Sequence, residues 1–365
     1  MPKTVFVTVG TRPEAIKMAP LYLRMQRTDG LRPVLVSTGQ HREMLDQVFD
    51  WFGIAPDEDL AVMTPNQTVS QVMVKSLSGL DALIAKHEPD AVLAQGDTTT
   101  VLAAALAAFN TQTPFGHVEA GLRTYDLERP FPEEGYRQMA SRVARWHFAP
   151  TPRAAETLAG EKLQGDVHMV GNTVIDALLD TAKRADALPV EIADDKRMVL
   201  ITGHRRENHA AFRKVFAAFR TLADRYADIV FVYPVHLNPN VQTVARDVLS
   251  GTSNFHLIEP VDYPGIVSLM KRATLIVTDS GGIQEEAPSL KVPLLVMRET
   301  TERQESVEVG ASRLIGTDPE TLLREASRLL DSAEARREMV VETNPFGDGL
   351  SSQRICRILA EDLNA

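Results

Sequence analysis

A single cysteine, Cys356, stands in the 365 residues, so an internal disulfide framework is excluded, and this thiol in a helical pattern near the carboxyl end reads as structural. Neither GxGxxG nor GxxxxGK[ST] occurs, which removes the dinucleotide fingerprint and the P-loop. The 9 histidines show no HExxH or other ligand spacing, so no metal site is read. Cationic residues are outnumbered, 39 against 49, giving a net charge of −10. The chain as a whole therefore lacks the basic footprint of a nucleic-acid binder or of a protein held on anionic lipid. No apolar run approaches the length of a membrane span, and MPKTVFVTVG lacks the longer apolar core and cleavage site of a signal peptide. A cytoplasmic protein is expected.

What is present is globular: 44% hydrophobic and 24% charged residues, in a chain long enough for two domains. The first half repeats a short β-rich run, a loop with Gly or charged residues, and a helical pattern. Its strands are read at Thr4–Val9, Pro33–Ser37, Ala91–Ala94 and Phe115–Val118. A second series has strands at Met198–Thr202, Ile229–Tyr233, His256–Ile258, Leu275–Thr278, Leu294–Met297 and Arg313–Ile315. Such alternation predicts parallel sheets covered on both faces. The polar stretch Asp186–Lys196 marks the boundary, giving domains at 1–185 and 186–350. A final helix, about 351–365, starts at a Ser-rich cap after PFGDG.

The chemically interesting residues follow strands, at the carboxyl edges where open α/β folds bind ligands, and two such edges facing each other would form a cleft. In TDSGGIQEEAPSL a strand runs into Ser280, Gly281 and Gly282 and a short helix, Ile283–Leu290; close backbone approach and free amides there suit a phosphate. Thr300–Arg303 follow the next strand. GTRPE with Lys17 places Arg12 and Lys17 beside a helix start, a natural anion site. Asp97 in QGDTTT suits either a helix cap or catalysis; Glu119 in HVEAGLRT caps nothing obvious; Glu133 and Glu134 open a helix and also suit its dipole. Together Asp97, Glu119 and Glu133 are carboxylates on successive loops of one domain, as acid/base chemistry needs. TGHRREN supplies His204, Arg205 and Arg206, which suit a diphosphate, and His236 follows another strand.

GTRPEAIKMAP, QGDTTT, HVEAGLRT, PFPEEGYRQ, GNTVID, TGHRREN, PVHLNPN, TDSGGIQEEAPSL and MRETTER, in this order from Gly10 to Gly349, resemble the non-hydrolysing UDP-N-acetylglucosamine 2-epimerases. The resemblance implies a glycosyltransferase-B-like α/β fold: two Rossmann-like domains facing across a cleft, the last helix returning to the first domain, and a homodimer. It implies reversible conversion of UDP-GlcNAc to UDP-ManNAc, supplying cell-surface polysaccharide, with no redox cofactor. The C2 hydrogen has no adjacent carbonyl to acidify it; breaking the anomeric bond to UDP first gives oxocarbenium character that does so. Proton loss then yields 2-acetamidoglucal, and UDP re-adds after the proton returns to the opposite face.

By motif match Asp97, Glu119 and Glu133 are the acid/base residues, their individual roles left open, and His204 is the leaving-group or diphosphate partner. Arg12 and Lys17 match first-domain substrate contacts, Ser280, Gly281 and Gly282 the diphosphate cradle, Glu286 the ribose contact and Arg303 a phosphate or uridine-side contact. The segment Val261–Ile266 matches the uracil loop, read through main-chain groups. Some relatives bind a second UDP-GlcNAc as activator; Gln40, Arg205 and His236 fit that pattern, whereas Asn66 before Gln67, and Glu43, depart from it. Rival readings are a 2-epimerase of a 2,3-diacetamido uronate, a retaining glycosyltransferase, and a non-catalytic UDP-sugar sensor.

Overall fold

Strands buried on both faces pair in parallel only if a crossover carries the chain back each time, and both halves of this chain are wound that way. The computed structural model describes residues 1–39, 42–203, 211–236 and 238–364. The first series comprises β1 (Lys3–Val9), α1 (Arg12–Met25), β2 (Leu31–Ser37), α2 (Arg42–Phe52), β3 (Glu58–Asp59), α3 (Val69–His87) and β4 (Ala91–Gln95). It continues through α4 (Thr99–Asn110), β5 (Phe115–Val118), α5 (Glu133–Val143), β6 (Trp146–Ala149), α6 (Pro152–Gly160), β7 (Asp166–Met169) and α7 (Thr173–Arg184). The second comprises β8 (Arg197–Thr202), α8 (Phe212–Arg225), β9 (Ile229–Pro234), α9 (Pro239–Leu249), β10 (Phe255–Ile258), α10 (Tyr263–Arg272) and β11 (Leu275–Thr278). Then follow α11 (Gly281–Glu286), β12 (Leu294–Val296), α12 (Gln304–Glu308), β13 (Ser312–Leu314), α13 (Pro319–Asp331), α14 (Ala333–Arg337) and α15 (Ser351–Asn364).

The chain divides into two units, Met1–Ala177 with Phe346–Ala365, and Leu178–Pro345. In the first, a 7-stranded parallel sheet has the order β3-β2-β1-β4-β5-β6-β7; in the second, a 6-stranded sheet has the order β10-β9-β8-β11-β12-β13. In each the winding reverses between two central strands, β1 and β4 or β8 and β11, the position at which open α/β sheets bind ligands. The central strands are the apolar ones: AVLAQ of β4 is buried at every position. The Ala-rich α4 packs closely on the first sheet, with Ala103, Ala104, Ala105, Ala107 and Ala108 all inaccessible. In the second unit the core is aromatic, with Phe212, Phe216, Phe219, Phe231 and Tyr233 packed together.

Three strands of the first sheet, β3, β6 and β7, were not expected from the sequence. β3 has only two residues and β7 is a half-exposed edge strand, so neither reads as an apolar run, whereas β6, WHFA, is apolar and buried at every position. The helix expected at Ile283–Leu290 begins two residues earlier, at Gly281, and its last part, Ala287–Leu290, is a 3-10 turn. Pro288 supplies no amide there, which removes one donor from an α-helical ladder.

The last helix, α15, packs on α1 and is fastened at both ends. Asp176 accepts from the amides of Ser351 (3.2 Å) and Ser352 (2.8 Å), and Trp146 Nε1 donates to Asp362 Oδ2 at 2.6 Å. Replacing Asp176 with Ala leaves both amides without that acceptor and is expected to cost about 1–3 kcal/mol. Urea unfolding reads this directly; an unchanged midpoint would contradict it.

Candidate functional site

Unit 1 presents carboxylates along the carboxyl edge of its sheet. The loop after β4 is Gly96, Asp97 and Thr98. Thr98, whose side chain accepts from Val101 N, is the cap of α4, so Asp97 is not needed as one. Asp97 instead faces Arg137 of α5, which reaches Oδ2 through Nε (2.8 Å) and Nη2 (2.7 Å). Behind this loop, His117 Nε2 donates to Gly96 O at 2.7 Å.

Glu119 follows β5 with φ of 62°, a left-handed conformation rare for residues other than Gly, Asn and Asp. The side chain is buried and heavily bonded. Lys17 Nζ lies 2.8 Å from Oε1 and 2.6 Å from Oε2, Asn172 Nδ2 donates to Oε1 at 3.3 Å, and Gln95 Nε2 donates to Oε2. Lys17, expected as a substrate contact, is thus ion-paired with Glu119. A buried pair of this kind is costly to break from one side, because the remaining charge is left uncompensated.

The adjacent glutamates of α5 have separated roles. Glu134 is fully buried and accepts from Thr124 N (3.0 Å), Tyr125 N (3.2 Å) and Gln138 Nε2 (2.8 Å), with Arg137 Nη1 at 3.4 Å. Burial opposes its ionised form, but the bonds from Gln138, Thr124 and Tyr125 with the Arg137 charge prevail and hold its carboxyl below the usual range. Glu134 thus shapes the 119–132 loop. Glu133, half-buried, makes no such bond among the described residues, which leaves its carboxyl available to a ligand. Arg12 is half-buried at the first position of α1.

In unit 2, Ser280 is the cap residue before α11, and its amide donates to Thr278 Oγ1 at 3.0 Å. The Arg303 guanidinium lies over Gly281: a Cβ there would stand 3.1 Å from Cζ. Arg303 Nε also donates to Glu285 Oε1 at 2.9 Å. Gln284 ties the two loops together, donating to Ser280 O (3.1 Å) and accepting from Thr301 Oγ1 (2.7 Å). Gly282 differs from Gly281: among the described residues the nearest atom to a Cβ is Ser280 Oγ at 3.9 Å, so their packing does not demand glycine there. Arg298 approaches Glu302 at 2.9 Å; burial opposes ionisation of Glu302, but Arg298, the backbone and Arg303 bring its carboxyl down to about 2.

Glu286, expected at a ribose, is buried and accepts from Tyr263 OH at 2.8 Å. Burial, then the Glu286 charge and bond, push the Tyr263 phenol well above its ordinary range. This contact links α11 to the Val261–Ile266 segment, where Asp262 caps α10 by accepting from Gly265 N at 2.9 Å and Ile266 N donates to Asp262 O at 3.1 Å. Two amides of that segment are thus used within the helix start. His236 is exposed after β9, its Nδ1 accepting from Asn238 N at 3.1 Å. Gln67 spends its carboxamide in its own loop, on Thr64 N and Val62 O. His204, Arg205 and Gln40 lie outside the described residues.

The residues that sequence reasoning did not single out are Glu14, Gln95, Arg137, Asn172, Tyr263 and Gln284. Most lie inside quoted motifs, but only contacts distant in sequence reveal what they hold. Among the described residues no three His, Cys, Asp or Glu side chains converge as a metal ion would require.

Two Rossmann-like units, with a carboxylate-lined switch point in one and a glycine-led helix turn beneath an arginine in the other, define a glycosyltransferase-B-like protein. The family model described as UDP-N-acetylglucosamine 2-epimerase matches residues 23–360. A probable UDP-N-acetylglucosamine 2-epimerase of Ralstonia nicotianae is 47% identical over 370 residues, covering 98% of each chain. The UDP-N-acetylglucosamine 2-epimerase of Escherichia coli is 46% identical over 367 residues, covering 97% of this chain and 98% of its own. The crystal structure of the Neisseria meningitidis UDP-GlcNAc 2-epimerase bound to UDP-GlcNAc superposes with a TM-score of 0.90 at 42% identity, covering 98% of this chain and all of that one. The chain belongs to the UDP-N-acetylglucosamine 2-epimerase family.

Proposed function

We propose that this protein interconverts UDP-N-acetylglucosamine and UDP-N-acetylmannosamine by eliminating UDP to 2-acetamidoglucal and re-adding it. The observation that carries the reading is that the family's motifs arrive with a full carboxylate set: Asp97, Glu119 and Glu133 all lie on the carboxyl-edge side of one sheet, in the loops after β4 and β5 and at the start of α5. A sensor of UDP-sugars would have no use for three acid/base groups. Elimination and re-addition need proton removal on one face of C2 and return on the other, which carboxylates with different surroundings supply: Glu119 neutralised by Lys17, Asp97 held by Arg137, and Glu133 without a cation among the described residues. Lys17 and Arg12 serve the substrate on the same side.

Ser280, Gly281, Gly282 and Arg303 hold the diphosphate, with His204 as leaving-group partner. The space at Gly282 supports this role, since the backbone is open to a phosphate there. Glu286 takes the ribose and the Val261–Ile266 backbone the uracil. The product feeds cell-surface polysaccharide synthesis, and the enzyme acts in the cytoplasm as a homodimer. An activating second UDP-GlcNAc would meet His236; sigmoidal against hyperbolic dependence of rate on UDP-GlcNAc separates its presence from its absence.

The test is incubation with UDP-GlcNAc alone in deuterated water. Expected is UDP-ManNAc carrying solvent deuterium at C2, with no acceptor required. Free ManNAc plus UDP would indicate a hydrolysing enzyme instead, and absence of turnover would remove UDP-GlcNAc as substrate.

A further inference from the structure

The loops that leave β1 and β4 flank the switch point of unit 1, and one buried side chain joins them. Glu14, in the first turn of α1, is 2% exposed. Its Oε2 accepts from Gly10 N (2.8 Å) and Thr11 N (2.6 Å), and its Oε1 accepts from Thr98 Oγ1. A helix-capping glutamate needs only the Thr11 amide. The Thr98 hydroxyl, 84 residues further along the chain, is not part of any cap of α1. Thr98 is itself the cap of α4 and the residue after Asp97.

We propose that Glu14 is a positioning residue for the epimerisation: it fastens the start of α1, which carries Arg12 and Lys17, to the loop that carries Asp97, and so sets their spacing. The inference rests on the reading of those three as site residues. Glu14 touches no substrate and acts through Thr98 and the Gly10 and Thr11 amides. Its loss would let the β4 loop settle independently of α1. Misplacements of about 1 Å at a reacting centre can cost about a hundredfold in rate.

Burial drives the Glu14 carboxyl above its ordinary range, against the bonds from Thr98, Gly10 and Thr11 that lower it. A neutral acid can bridge the loops as a carboxylate does, by donating to Thr98 Oγ1 while its other oxygen accepts from the two amides. A carboxamide makes that same set of bonds. Glu14→Gln is therefore the conservative replacement that tests position apart from charge.

The experiment compares kcat and KM for UDP-GlcNAc across wild type, Glu14→Ala, Glu14→Gln, Thr98→Val, Thr98→Ser and the Glu14→Ala/Thr98→Val double variant. Expected for Glu14→Ala is a fall in kcat of about tenfold to a hundredfold, with KM within about threefold of wild type. Glu14→Gln is expected to restore kcat to within about threefold, and Thr98→Ser likewise, while Thr98→Val falls about tenfold. The double variant should be no slower than the worse single variant by more than about twofold, because both remove one bridge. Wild type inactive on UDP-GlcNAc overturns the functional reading and this inference with it. An active wild type with Glu14→Ala within about threefold of it, Glu14→Gln as slow as Glu14→Ala, or a multiplicative double variant overturns the positioning role alone. If circular dichroism shows Glu14→Ala unfolded, the Thr98 pair decides: equal kcat in Thr98→Val and Thr98→Ser overturns the role, and a selective loss in Thr98→Val supports it.

Discussion

Asp97→Asn is expected to lower kcat for UDP-GlcNAc by about 10²–10⁴-fold, the range over which a positioned acid/base group contributes. The replacement suits the question because it is nearly isosteric and the fold does not lean on the charge. Thr98, not Asp97, caps α4, and Arg137 retains Glu134 as a partner when Asp97 is neutral. Asp97 receives Arg137 on Oδ2 alone, so Oδ1 is the oxygen left for a proton in flight. Asparagine keeps the oxygen that accepts from Arg137 and puts a non-basic amide where Oδ1 stood. Affinity for UDP, which the proposal assigns to unit 2, should stay within about threefold. Calorimetric titration with UDP beside a turnover assay separates the two quantities. Turnover within about threefold of wild type would take Asp97 out of the chemistry; turnover and UDP affinity lost together would mean that the substitution damaged the fold.

The same residue shows where sequence reasoning stops. Asp97 before a helical run reads equally as cap or catalyst, and only the Thr98–Val101 bond removes the cap reading. Glu133 and Glu134 are neighbours of one residue type, and nothing in PFPEEGYRQ says which is free. The difference arises because Glu134 turns under the 119–132 loop to meet the amides of Thr124 and Tyr125, partners whose position depends on tertiary folding. The left-handed backbone of Glu119 was equally invisible, since a glutamate carries no signal for positive φ. By contrast the Rossmann-like winding was legible, because fully buried parallel strands must be short apolar runs separated by helices. All six strands of the second sheet were anticipated; the missed strands of the first were the two-residue β3 and the short β6 and β7. Lys17 and Glu119 were each chosen from their own motif, 102 residues apart, and their ion pair is the strongest structural link between separately chosen site residues.

A second large effect concerns acid stability rather than turnover. His117 and His147 face each other in register on β5 and β6, both buried. Burial is the chief cause holding each imidazole down to about 4; the Arg123 charge adds to it in both, and His117 adds to it for His147. The Gly96 bond and Glu119 oppose it at His117, and Glu161 and Asp166 oppose it at His147, without prevailing. The ordinary value is about 6.5. Between these limits the unfolded chain binds protons that the folded chain refuses, so the stability difference is intact above about pH 6.5 and is lost as the pH falls toward 4. The linkage amounts to about 2 kcal/mol per imidazole between pH 7 and pH 5, hence about 4 kcal/mol for the pair, a large share of a typical folding free energy. Neither ring nitrogen of His147 has a hydrogen-bond partner among the described residues, so an apolar side chain of similar volume sacrifices no bond there. His147→Leu should therefore be at least as stable as wild type at pH 7 and should lose about half of the acid sensitivity. Urea unfolding of both proteins at pH 7 and pH 5 measures it. Equal losses in the two proteins would show that other groups carry the acid response.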